Sequence, residues 1–125
     1  MKRFRTKKQT ITVANGGSVD LSGNSVSLGK NFNTIEGVAV ITKSLGGVGD
    51  YDIGFEYGTD QFMQPISSKM LEPNQAVPPN ERYTKVNLKG NDGTDFKIVG
   101  TLDAVPNSEF KIQVIVLVSE DIIQA

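Results

Sequence analysis

Three carboxylates, Asp52, Glu56 and Asp60, recur at four-residue intervals, and a pair of acids is the equipment of glycoside hydrolysis. One acid would protonate the leaving oxygen while the other attacks the sugar or activates water. The same residues also fit the solvated face of a strand, where charges sit without any chemistry. Ser68-Lys69 offers a serine with a lysine base, but adjacent residues on a strand point to opposite faces, which keeps the two apart. Asn91-Asp92-Gly93-Thr94-Asp95 crowds oxygen ligands around a glycine, as calcium accepts, without the twelve-residue spacing and terminal Glu of an EF-hand. A tight turn asks for the same residues. Gly46-Gly47-Val48-Gly49 is a fragment of a phosphate-binding loop that lacks the following Lys-Ser/Thr and the helix, so it reads as a turn.

The chain has no His and no Cys. Triad-type nucleophilic catalysis therefore lacks its usual base, and the ligand sets of zinc, copper, haem and iron–sulfur centres cannot be assembled. No catalytic residue, metal ligand or cofactor is assigned, and the expectation is a non-enzymatic protein without a small-molecule substrate. Tyr51, Phe55, Tyr57 and Phe62 are the candidates for an aromatic platform on which a sugar or a base stacks. Three of them recur with period 2, the spacing of a row that fills the interior of a sandwich.

Charge is distributed unevenly. Five of the 13 basic residues, Lys2, Arg3, Arg5, Lys7 and Lys8, fall in the first eight positions, leaving eight basic against 14 acidic side chains, or −6, in the rest. The expectation is a basic N-terminal arm over residues 1–8, followed by a single domain over 9–125. Such an arm can meet nucleic acid, an anionic membrane or the acidic face of a neighbouring copy. The acidic body argues against a broad nucleic-acid groove. Residues 9–17 supply no apolar stretch of the kind secretion uses, and no segment approaches the ~20 apolar residues of a membrane span. Synthesis in a cytoplasm without a signal peptide is therefore expected.

The elements that would position these groups are strands. Tyr51, Ile53, Phe55 and Tyr57 alternate with Asp52, Gly54, Glu56 and Gly58, the pattern of a strand with one wall against a core. Val86 and Leu88 alternate with lysines and asparagine, and after Gly90-Asn91-Asp92-Gly93 a second alternating run covers 94–104. These two are expected to form a hairpin. Residues 110–119 are apolar on both faces in their second half, with Ile115 and Leu117 opposite the row Phe110, Ile112, Val114, Val116 and Val118. Such a strand is either central or covered by another subunit. Residues 35–44 form another well-buried strand, and Ile11/Val13, Val19/Leu21 and Val26/Leu28 mark three short ones. Between 63 and 82 the alternation stops, and Pro65, Pro73, Pro78 and Pro79 sit in a long connection with an irregular edge strand near Ile66–Leu71.

About eight short antiparallel strands in 125 residues imply an all-β, two-sheet sandwich of jelly-roll or related Greek-key topology, with an immunoglobulin-like order still open. In architecture, a short basic arm, about eight strands, no Cys and one long Pro-containing connection, the chain resembles the small single jelly-roll virion proteins of tailless icosahedral bacteriophages, of the vertex or minor capsid type. The resemblance covers the whole chain but carries no motif that can be matched residue by residue. It implies a structural role in the virion, a homo-oligomer of three or five copies, contacts with neighbouring capsid proteins, and an arm reaching a neighbouring subunit, genome or membrane. The other reading open at this level is a monomeric recognition module binding glycan or protein through the loops at 44–50 and 63–82.

Overall fold

The computed structural model describes residues 2–29, 32–58, 60–70, 83–90 and 94–121, without the side chains of residues 2, 60–62 and 70. Eight strands follow one another: β1 Lys2–Val13, β2 Asn24–Val26, β3 Thr34–Ser44, β4 Tyr51–Tyr57, β5 Asp60–Ser67, β6 Thr84–Lys89, β7 Phe96–Leu102 and β8 Phe110–Asp121. They form two antiparallel four-stranded sheets, A with the order β1-β8-β3-β6 and B with the order β2-β7-β4-β5. First pairs with last, second with seventh, third with sixth and fourth with fifth. That is the order of one long hairpin rolled up into two facing sheets, a jelly roll. Among the described residues no helix is long and apolar enough to cross a membrane.

Alternation decides which side of each strand faces in. On β8, Phe110, Ile112, Val114, Val116 and Val118 are all buried, and each such side chain contributes about 1.5–3 kcal/mol of burial. They face Tyr51, Ile53 and Phe55 of β4 and Phe96 and Ile98 of β7, all fully buried in the same core. The Tyr51 and Phe110 rings meet edge to face at 5.2 Å across the gap between sheets. Two glycines let sheet B close. A Cβ on Gly54 would stand 2.5 Å from the Met63 carbonyl of β5, and one on Gly100, at φ +154°, would collide with the Asp52 carbonyl oxygen. β5 can therefore lie tightly over β4 only because position 54 carries no side chain.

Several sequence expectations require correction. The runs at 83–89 and 94–104 are not partners in a hairpin: β6 pairs with β3 in sheet A, whereas β7 lies between β2 and β4 in sheet B. Turn-forming residues reverse the chain but do not decide whether it returns to the same sheet or crosses to the facing one. The Val19/Leu21 stretch forms only a single bridge, Asp20 with Thr101, although Leu21 is fully buried. The edge strand expected near Ile66–Leu71 begins earlier, as β5, and yields to a short 3-10 turn at Ser68–Met70.

Residues 2–8 lie within β1, paired with β8 from Lys2↔Asp121 to Val13↔Phe110, so no structural break separates residues 8 and 9. The twelve-residue length of β8 supplies the backbone partner that a charge count cannot reveal. β8 itself is central in sheet A, between β1 and β3.

Candidate functional site

The basic residues line the free edge of sheet A. Register with β8 places Arg3, Arg5 and Lys7 at inward positions and Phe4, Thr6 and Lys8 at outward ones. Inward charges on an edge strand discourage indiscriminate strand pairing. Arg5 donates to Glu120 at 2.5 Å, an ion pair about one-third exposed, which at such exposure adds at most about 1 kcal/mol. Arg3, Lys7 and Lys8 have no carboxylate partner among the described residues. The Lys2 side chain lies outside them.

Phe4 is 56% exposed, on the same face as the half-buried Ile115 and Leu117 of β8 and Ile41 of β3. The second apolar row of β8 is thus the outer face of sheet A, with Ala39 between Ile41 and Gly37 on β3. At the far end of the sandwich, the turns at 14–17, 45–49 and 103–109 are tied together. Gly16 N donates to Pro106 O, Asn107 N to Gly46 O, and Ser44 Oγ to the Glu109 carbonyl. The Gly46–Gly49 segment is therefore a structural turn, closed by Val48 N donating to Leu45 O.

The carboxylates do not converge. Asp52 and Glu56 share the outer face of β4, opposite Thr101 and Lys97 of β7. Four residues of strand separate them by about 13 Å at Cα, and each stands across from a β7 residue, not from the other. The side chain of Asp60 lies outside the described residues, as do Asn91, Asp92 and Gly93 of the calcium-like run. Ser68 is buried, its hydroxyl donating to Asp50 Oδ1 at 2.8 Å while Ser67 donates to Oδ2 at 2.7 Å. These two bonds, with lesser contributions from the Tyr51 backbone N–H and the charge of Lys69, hold the Asp50 carboxyl below its ordinary value against the opposing effect of burial. Ser68 is thus committed to a carboxylate that closes the β3–β4 turn onto the end of β5. Tyr51, Phe55 and Tyr57 are buried in the core and offer no platform, and the Phe62 side chain lies outside the described residues.

A surface that no motif announced lies on the outer face of sheet B. Ser22, Asn24, Ser25, Glu56, Asp95, Lys97 and Val99 line a half-open trough of about 520 Å³. Next to it, Asp20, in its single bridge, and Asp52 of β4 flank Thr101. Ser22 N donates to Asp20 Oδ1 at 2.9 Å and lowers that carboxyl's pKa. The outer face of sheet B is therefore predominantly acidic. The alternating outward positions of β4 and β7 are readable in the sequence, but their juxtaposition with residues 22–25 depends on β2 joining β7, which periodicity does not report.

No family model, curated protein or solved structure matches this chain.

Proposed function

We propose that this chain is a non-enzymatic structural protein of a virus particle, a vertex or minor capsid component that works by packing against copies of itself and neighbouring shell proteins. The observation that carries the reading is the outward apolar row of a central strand, Ile115 and Leu117, continued by Ile41 and the exposed Phe4 on a jelly-roll sandwich. Apolar side chains left partly open on the outer face of a sheet mark a surface suited to contact with a neighbour. Jelly rolls recur in capsid and lectin domains, so the fold is compatible with both assembly and recognition and selects neither alone. The basic strip of β1 adds a second contact, to a neighbouring subunit, nucleic acid or an anionic membrane. Native mass measured over a range of concentration and salt tests the reading. A closed ring of three or five copies, or a larger symmetric particle, is expected; a monomer under every condition, including with candidate shell partners, overturns it.

A second reading follows from the trough on sheet B, whose serine, asparagine and carboxylate lining is suited to hydroxyl-rich ligands. A monomeric module of that kind binds glycans saturably and loses binding on Glu56→Ala or Asp95→Ala exchange. An empty glycan array removes it.

A further inference from the structure

We infer that copies of this chain join head to tail, with the Phe4-bearing basic edge of β1 in one copy seated on the acidic trough of sheet B in the next. This rests on the self-associating reading above and specifies its contact. Three features of the surface argue for it.

First, Phe4 is 56% exposed at an outward position of an edge strand, with Lys8 farther along the same face and the exposed Arg3 on the opposite face of the edge, neither cation having a carboxylate partner among the described residues. An exposed aromatic on a basic edge combines an apolar anchor with charges suited to the rim of an interface. Second, the trough offers the matching chemistry. Ile98 and Val99 give its lining an apolar element, and about 520 Å³ exceeds what one phenyl ring occupies. Glu56 and Asp95 beside it, with Asp52 and Asp20 adjoining, outnumber the single cation Lys97. Third, charge disfavours the simplest alternative. Two β1 edges paired about a two-fold axis would bring the cations Arg3, Lys7 and Lys8 of both copies to one seam, and like charges repel. A contact between two different surfaces leaves each copy with one donor edge and one acceptor trough, the arrangement from which rings grow.

The experiment uses the full chain and compares association constants from sedimentation or native mass. One variant reverses the edge, Arg3→Glu with Lys8→Glu, and a second reverses the trough, Asp52→Lys with Asp95→Lys. All four side chains are exposed, and unchanged melting temperatures check the fold. Phe4→Ala is the uncharged control. Each reversal is expected to weaken association roughly tenfold or more, as is raising salt to about 0.5 M, and Phe4→Ala to weaken it without altering the salt dependence. An equimolar mixture of the two reversed variants should recover wild-type association, because each edge then meets a trough of opposite sign. Association that is unchanged in both reversed variants overturns the head-to-tail contact while leaving self-association standing. A wild-type chain that is monomeric up to about millimolar concentration overturns both.

Discussion

The Tyr51 hydroxyl of β4 lies 2.8 Å from Thr42 Oγ1 of β3, so a hydrogen bond spans the gap between the two sheets at the edge of the apolar core. The ring that carries it is fully buried against Phe110, leaving the hydroxyl no route to bulk water from that side. Tyr51→Phe removes one partner and keeps the ring, and is expected to cost about 1–2 kcal/mol. Thr42→Val should cost a similar amount, because it removes the other side of the same hydrogen bond. The double variant should cost less than the two together, since both exchanges remove one shared bond. Urea unfolding of the four proteins checks this, and strict additivity would show that the two hydroxyls do not depend on each other.

Gly54 is held to glycine by backbone atoms, which cannot swing aside as a side chain can. Its missing Cβ is where the backbone of Met63, Gln64 and Pro65 passes. Gly54→Ala is expected to push β5 away from β4 and to destabilise the fold by about 1–3 kcal/mol. Gly49→Ala is the contrast: the space there is open, and only the left-handed φ of +85° resists a side chain, costing about 1 kcal/mol. Thermal melts should place Gly54→Ala below Gly49→Ala. The reverse order would mean that β5 yields without penalty.

Asp50 ties stability to pH through Ser67 and Ser68. Its folded-state pKa lies below the ordinary 3.8, so its contribution is fully present above that value and is lost as pH falls through the folded-state pKa. Unfolding measured between about pH 5 and pH 2 should show wild type losing stability over the acid end of this window. Asp50→Asn removes the titrating group and should flatten that part of the curve while lowering the plateau near neutrality. Equal slopes for both proteins would assign the acid sensitivity to other carboxylates.

The elements that were legible in the sequence are those whose alternation is complete. Tyr51 to Tyr57 and Phe110 to Val118 each declare one buried face, and the all-β sandwich follows from them. The first strand was concealed because its inward positions carry Arg3, Arg5 and Lys7 instead of apolar residues; charge there reads as solvated chain until β8 is known to run alongside for its full length. The hairpin expected across residues 90–93 fails for a related reason, since both strands alternate correctly but belong to different sheets. Sheet membership is a long-range property that no local pattern encodes. The same holds for the trough, assembled from residues 22–25, 56 and 95–99. Of the candidate carboxylates, the sequence located Glu56 correctly on an outward face but could not show that its neighbours there would be Lys97 and Ser25.

The two faces of β8 should respond in opposite ways to the same substitution. Val116 points inward and is fully buried, so Val116→Lys would bury an unpaired ammonium, and a folded protein is not expected to result. Ile115 and Leu117 point outward and are only partly covered by their own chain. Ile115→Lys and Leu117→Lys should therefore leave the monomer folded, with losses of about 1 kcal/mol or less, because the ammonium reaches water from either position. If the outer face of sheet A is covered by a neighbour in the assembled particle, both exchanges should abolish assembly while circular dichroism and melting temperature stay near wild type. Separating fold from assembly in this way matters, because a core defect would lower both together. A pair of lysines at 115 and 117 that assembles normally would leave the apolar row without a partner and shift the burden of association to the β1 edge.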